Sequence, residues 1–282
     1  MSSPSLLLLN PAYNEERRIE PVLRDYARYF KENYDGKFQL VVVLNGCRDN
    51  TLGVVQRVAA EFPSVSWLEF KDPIGKGGAL IEGFKLAATA DLIGYVDADG
   101  ATPPSAFHDL VKRMDGTDCV IGSRWLPGAV LHQEQSQKRQ FASRVFHSIV
   151  QFLFQMNIRD TQCGAKVMRC AAVNKIHSSL RIADMAFDIN LLYSLKRAGY
   201  QITEVPTEWT DKMGSKVKLG STSLTMLLSA IRIRLIYWPR IYKMLRPLKP
   251  LEEWVYTKLR QPPPLSSQTV SPQDSKSGHQ SS

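Results

Sequence analysis

Two carboxylates stand two residues apart where an apolar run ends: Asp97 and Asp99 in Tyr95-Val96-Asp97-Ala98-Asp99-Gly100, after the stretch from Leu92 to Val96. Along an extended strand residues i and i+2 project to the same face, so these side chains offer hard oxygen ligands to one divalent cation. Mg²⁺ takes a few carboxylates together with substrate phosphates and water in preference to an all-protein cage, which suits a two-Asp site that fills when a nucleotide diphosphate arrives. The same pair also reads as a solvated turn. Its position in the fold has to decide between the two.

Apolar runs of strand length occur at residues 5–9, 39–44, 65–70, 92–96 and 119–123, and amphipathic segments separate them. Ile19, Val22, Leu23, Tyr26 and Phe30 keep the spacing of one helical face, and residues 51–62 and 76–90 read similarly. The order β-α-β-α-β predicts an α/β fold with a mostly parallel sheet flanked by helices. Ligands of such sheets collect at the carboxyl ends of the strands. Three motifs fall there, at residues 10–15, 45–51 and 97–100, and that coincidence favours the metal reading of Asp97 and Asp99.

Beyond Ser123 the spacing predicts a long basic-then-apolar helix at 137–156, a polar loop at 159–164, a short run at 165–168, a helix at 187–198 and a strand at 201–205. A helical stretch over 221–245 carries Leu224, Leu227, Leu228, Ile231 and Leu235 on one side, with Arg232, Arg234, Arg240, Lys243 and Arg246 set among Tyr237, Trp238 and Tyr242. Its charge-free run is shorter than the ~20 apolar residues that a bilayer span needs. Basic residues beside Trp and Tyr suit C-terminal amphipathic helices lying in a membrane interface; the alternative for 224–231 is packing on the catalytic core. From residue 261 the chain is rich in Ser, Gln and Pro, which predicts disorder. The expected division is a catalytic domain over 1–220, membrane-associating helices over 221–260 and a tail over 261–282.

Lys and Arg number 36 against 27 Asp and Glu, a net charge of +9 that suits an anionic partner. The basic residues cluster toward the C-terminus beside aliphatic stripes, and no nucleic-acid motif accompanies them, so phosphorylated small molecules and an acidic membrane face rank above nucleic acid. Cys47, Cys119, Cys163 and Cys170 form no C-x-x-C pair, which predicts reduced, structural thiols in a cytosolic setting. The first strand begins almost at Met1, and no signal peptide is expected. His108, His132, His147 and His177 lack the spacing of metal ligands.

Pro11-Ala12-Tyr13-Asn14-Glu15-Glu16, Asn45-Gly46-Cys47-Arg48-Asp49-Asn50-Thr51, Gly75-Lys76-Gly77-Gly78-Ala79, Asp97-Ala98-Asp99-Gly100-Ala101-Thr102 and Gly122-Ser123-Arg124 follow one another in the order found in family 2 inverting glycosyltransferases of the GT-A (Rossmann-like) fold, which this chain resembles over about residues 5 to 236. Ile158-Arg159-Asp160-Thr161-Gln162-Cys163-Gly164-Ala165-Lys166, Ala186-Phe187-Asp188, and Trp209-Thr210 through Gly214-Ser215-Lys216 are similar to the dolichyl-phosphate glucosyltransferase branch, with dolichyl-phosphate mannose synthases next.

The resemblance implies roles. Pro11, Tyr13, Asn14, Glu15, Asn45, Asp49, Lys76, Gly77, Asp97, Ala98 and Asp99 would hold the nucleotide sugar, and Lys216 would close on its diphosphate. Asp97 and Asp99 would bind Mg²⁺ or Mn²⁺. Leu44 and Asn45 depart from the Asp-Asp pair of many relatives, and a carboxamide pairs with a base edge but cannot act as an acid. Asp49 is equally a cap for the helix that follows it. Arg124, Arg139, Arg144 and Gln162 would meet an acceptor phosphate, since guanidinium forks match phosphate geometry and stay charged. Asp160 would shape the acceptor side. Asp188 stands where relatives with hydroxyl acceptors place a base, and here it is expected to orient the sugar or a helix.

The function so implied is inverting, metal-dependent transfer of a hexose, glucose from UDP-glucose first, to a polyprenyl or dolichyl phosphate by a peripheral enzyme on the cytoplasmic face of a membrane. Alternatives are a GDP-mannose-dependent mannosyltransferase and an enzyme with a soluble hydroxyl acceptor. The relatives usually carry a transmembrane helix. Its expected absence here points either to the 221–246 region as the anchor or to a membrane-anchoring partner protein.

Overall fold

The computed structural model describes residues 3–132, 137–210, 219–237 and 268–270. Strand β1 (Leu6–Ala12) is flanked by β2 (Phe38–Asn45) and β4 (Leu92–Tyr95), both parallel to it, and β3 (Val65–Phe70) continues the parallel order beyond β2. Helices α1 (Ile19–Asn33), α2 (Thr51–Glu61) and α3 (Gly75–Gly83) make the crossovers, and a 3₁₀ segment at Phe84–Thr89 ends the third. Sequence spacing predicts one helix over 76–90; the structure tightens its second half into that 3₁₀ turn.

Farther along the chain come α4 (Pro104–Lys112), β5 (Cys119–Ser123), β6 (Val130–Leu131), α5 (Gln137–Phe154), β7 (Lys166–Arg169), α6 (Cys170–Ile176), α7 (Phe187–Arg197), β8 (Ile202–Pro206), β9 (Glu208–Trp209), α8 (Leu219–Ile236) and β10 (Gln268–Val270). The sheet runs β10-β3-β2-β1-β4-β7-β5-β8, and β6 pairs with β9 as a separate ribbon. β7 lies antiparallel between β4 and β5, so Tyr95 faces Lys166 across the ladder. β10 sits antiparallel on β3, where the tail was expected to be disordered; the unpaired edge of β3 offers its backbone groups to any extended segment.

Both faces of the sheet are covered, and this explains why β1 is almost continuously apolar. Leu6 and Leu8 pack with Leu23, Tyr26, Val55 and Leu110 from α1, α2 and α4. Leu7 and Leu9 pack with Leu80, Phe84, Val173, Phe187 and Leu191 on the opposite side. The strand alternation therefore assigns helices to faces. α8 rests on α5 and α7 through buried Ser229, Ala230 and Ile233, while Ile231 is 41% exposed. That part of the expected interfacial helix packs on the catalytic body, and residues 238–260 lie outside the described residues. Among the described residues no helix is long and apolar enough to cross a membrane.

Candidate active site

Four chain segments converge where β1, β2 and β4 end. Past β1, Asn14 turns in the left-handed region (φ 55°), and its carboxamide oxygen accepts from the Arg48 N–H at 2.7 Å. The Glu15 N–H donates to Thr51 Oγ1 at 2.8 Å, and the Glu16 N–H donates to Asp49 Oδ2 at 3.1 Å. Asp49 also accepts from the Thr51 N–H at 3.1 Å, in the first turn of α2. It thus ties the loop after β1 to the start of α2, whose N-cap residue is Asn50 and not Asp49. Tyr13 is 42% exposed at the rim, and the Glu15 carboxylate receives a two-pronged contact from Arg18 at 2.8 and 2.9 Å.

Asn45 is buried, and its Oδ1 accepts from the Ile74 N–H at 2.6 Å. Its carboxamide fixes the entry to α3, so the structure gives it a scaffold contact where the resemblance implied a base edge. Gly77 also serves packing. A Cβ there would lie 2.5 Å from the Ile182 carbonyl and 2.6 Å from Phe187 Cβ, while the Gly78 N–H donates to Ala183 O at 3.1 Å. The glycines let α3 sit against residues 182–187, and that contact aims Lys76 into the site.

Lys76 Nζ lies 2.6 Å from Asp97 Oδ1 and 4.0 Å from Asp188 Oδ2. Asp188 is almost fully buried, and its Oδ1 receives Lys166 Nζ at 2.5 Å and the Tyr95 hydroxyl. Burial pushes the Asp188 carboxyl up, yet the charges of Lys166 and Lys76 outweigh it and hold the group below the usual carboxylate value. Asp99 moves the other way. Burial and the neighbouring charge of Asp97 raise it, only partly relieved by the Ala101 N–H, Lys76 and Arg18. The loop is tied down by Tyr26, whose hydroxyl donates to Thr102 O at 2.9 Å, and by the Thr210 N–H donating to Ala101 O at 2.9 Å.

On the far side, Arg124 makes a two-pronged pair with buried Asp160, Nε to Oδ2 at 2.7 Å and Nη2 to Oδ1 at 2.9 Å, and its guanidinium lies 5.2 Å from the Trp209 ring centroid. Burial opposes the charge of Asp160, but Arg124 holds the carboxyl below its usual value. Gln162 Nε2 is buried with no hydrogen-bond partner among the described residues, as an unfilled ligand contact would be. Arg144 is exposed on α5, Arg139 lies on the same helix, and Lys216 falls outside the described residues.

Sequence reasoning passed over Arg18, Tyr95, Lys166 and Gly164. A lysine inside the apolar run 165–168 was the available signal for a buried ion pair. Gly164 is required because a Cβ there would lie 2.1 Å from Asp97 Oδ2. The clash falls on a side-chain end, so Gly164→Ala is expected to fold normally and to push Asp97 aside. Activity should drop about 100-fold, the scale of a 1 Å misplacement. Full activity in a steady-state assay would show that Asp97 tolerates the shift.

The carboxylates of Asp97 and Asp99 are hard oxygen groups that could contribute ligands to a divalent ion. No group of three or more His, Cys, Asp or Glu side chains able to hold a metal occurs among the described residues, so such an ion would take further ligands from a diphosphate and water. A mostly parallel sheet with this pair at a strand end and cations around it defines a glycosyltransferase of the GT-A type. Residues 9–177 match the model of glycosyl transferase family 2, and the chain belongs to that family.

The dolichyl-phosphate beta-glucosyltransferase of Dictyostelium discoideum is 32% identical over 254 residues, which cover 85% of this chain and 76% of that protein. Glycosyltransferase AglD of Haloferax volcanii is 32% identical over 219 residues, 77% of this chain and only 35% of the relative. Among solved structures, glucosyl-3-phosphoglycerate synthase from Mycobacterium tuberculosis in complex with Mn²⁺, UDP and glucosyl-3-phosphoglycerate superposes with a TM-score of 0.59 at 18% identity, covering 82% of this chain and 80% of that one.

Proposed function

We propose that this glycosyltransferase moves glucose from UDP-glucose to a dolichyl or related polyprenyl phosphate, with inversion, at a membrane surface. The observation that carries this reading is the state of the carboxylates near the acceptor side. Asp188 is locked between Lys166, Lys76 and Tyr95, and Asp160 is locked onto Arg124. Both are almost fully buried and held by fixed cations, which disfavours either as a base toward a sugar hydroxyl. A phosphate monoester needs no such base, because its second pKa lies near ~6 and it arrives ionised at pH 7.

One phosphate oxygen attacks the anomeric carbon from the face opposite the diphosphate, the new C–O bond forms as the bond to the diphosphate breaks, and the electron pair leaves with UDP. A divalent ion, Mg²⁺ or Mn²⁺, bound by Asp97 and Asp99 would neutralise charge developing on the leaving diphosphate. Lys76 adds a cation beside that position. Arg124 and the unpartnered Gln162 Nε2 are the groups this reading assigns to the acceptor phosphate, since a guanidinium paired on one edge keeps N–H groups for a second anion.

The names of the relatives support dolichyl phosphate and glucose, and the UDP and Mn²⁺ of the mycobacterial structure support the donor and the ion. The names of the dolichyl-phosphate relatives support a lipid acceptor and with it a membrane surface.

The test is transfer of label from UDP-glucose or GDP-mannose into the organic phase, with purified protein, Mg²⁺ or Mn²⁺ and dolichyl phosphate. Label from UDP-glucose in the lipid is expected. Label from GDP-mannose alone would overturn the sugar, and a soluble glycoside in place of a lipid product would overturn the acceptor.

A further inference from the structure

We propose that Lys76 is an internal counter-cation that occupies the divalent ion's place on Asp97 until the nucleotide diphosphate arrives, and that Asp188 is the anchor toward which it withdraws. The inference rests on the metal-dependent reading of Asp97 and Asp99.

One oxygen of Asp97 already carries a cation, and the other borders the backbone of Gly164. Oδ2 lies against the Gly164 backbone, in the space a Cβ would fill, and Oδ1 holds Lys76 Nζ at 2.6 Å. An Mg²⁺–oxygen bond is about 2.0–2.1 Å long. An ion bound at Oδ1 therefore meets the ammonium at close range, and the two cations exclude one another. The lysine side chain is 17% exposed and the Asp97 side chain 37%, so the lysine covers part of the carboxylate that the ion must reach.

The route of withdrawal is built in. Asp188 spends one oxygen on Lys166 and Tyr95 and presents the other, Oδ2, 4.0 Å from Lys76. Helix α3 cannot follow, because Gly77 and Gly78 pack against Ile182, Ala183 and Phe187. Only the side chain swings. Burial acts to lower the Lys76 pKa, and the charges of Asp97 and Asp188 raise it further than burial lowers it, so the group moves as a cation and no proton is exchanged. A diphosphate supplies oxygens to both cations at once. Metal and nucleotide should then bind as a coupled pair, with the bare ion held weakly.

The test is Mn²⁺ binding to the full-length protein, followed by electron paramagnetic resonance with and without UDP or GDP. Wild type should bind Mn²⁺ weakly alone and much more tightly with the nucleotide. Lys76→Met should tighten binding of Mn²⁺ alone about 10-fold, the scale of removing one nearby like charge, and Lys76→Arg should leave it as in wild type. Circular dichroism checks the fold of each variant, and Lys76→Gln replaces Lys76→Met if the latter does not fold.

If Mn²⁺ alone binds Lys76→Met no better than wild type, while wild type with nucleotide binds the ion, the counter-cation role is overturned and the metal reading stands. If no form binds Mn²⁺ even with nucleotide, the metal reading falls and the proposal with it. A crystal structure with Mn²⁺ and nucleotide should show Lys76 Nζ off Asp97 Oδ1 and near Asp188 or the diphosphate. Lys76 still on Oδ1 beside the ion would overturn the proposal.

Discussion

Asp188→Ala is expected to cost about 3–5 kcal/mol of folding stability, the usual penalty for removing one partner of a buried ion pair. Lys166 is fully buried, with its ammonium 2.5 Å from Asp188 Oδ1, 2.5 Å from the Cys163 carbonyl and 5.3 Å from the Tyr95 ring centroid. Without the carboxylate that ammonium keeps one carbonyl and a ring face, and neither carries the opposing charge. Urea denaturation at pH 7 reads the loss, and a difference below about 1 kcal/mol would mean that Lys166 is compensated some other way.

The pH dependence has a definite sign. The Asp188 carboxyl is held below its ordinary value, so its contribution is complete above the unfolded value near ~3.9 and is lost as pH falls through the lower folded value. The gap between wild type and Asp188→Ala should therefore narrow in acid. Lys166→Met alone should also destabilise, because it strands the carboxylate in the same pocket. Paired apolar replacement at both positions should recover much of the loss.

Asp99→Asn is expected to separate activity from stability. The carboxyl is raised by burial and by Asp97, so ionising it works against the folded state, and an amide removes that repulsion. Its oxygen can still accept the Ala101 N–H that Asp99 Oδ1 accepts at 3.0 Å. The variant should melt at or slightly above the wild-type temperature. Sugar transfer should fall by about 1,000-fold or more, equivalent to about 4 kcal/mol of lost stabilisation of the leaving diphosphate. Undiminished transfer would remove Asp99 from the metal site, and a lowered melting temperature would show that the repulsion is relieved some other way.

The two substitutions act oppositely although the carboxylates share one site. Asp188 has fixed cations on it and serves as structure. Asp99 is held beside a like charge with incomplete compensation.

Much of this was visible in the chain because it depends on local pattern. The alternation of apolar strands and amphipathic helices is a property of neighbouring residues, and it predicts parallel strands with their carboxyl ends together. The acidic pair was expected along an extended strand, but β4 ends at Tyr95 and Asp99 lies in the turn that follows, where its Oδ1 accepts the Ala101 N–H. The contact of Asp49 with the Thr51 N–H, two residues on, is likewise local.

Roles that depend on distant segments were not visible in this way. Asn45 was read toward a base edge, and no local pattern showed that its Oδ1 would accept the Ile74 N–H, 29 residues on. Gly77 was given a nucleotide-sugar role by resemblance alone, and no local pattern showed that it and Gly78 would pack against Ile182, Ala183 and Phe187.

The sharpest case is Lys166. Periodicity shows an apolar run with a lysine in it, but no local rule places that run antiparallel between β4 and β5 with Lys166 opposite Tyr95. Strand order is a packing outcome, set once α5 has carried the chain out and back. The fold class, the strand-end location of the site and its acidic pair were thus written into residue types and spacing, which act over one turn or one pleat. The ion pairing of Asp188, Lys166, Lys76 and Asp97 had to await assembly, because charge–charge energy depends on separation in space and on burial, and both are properties of the folded chain.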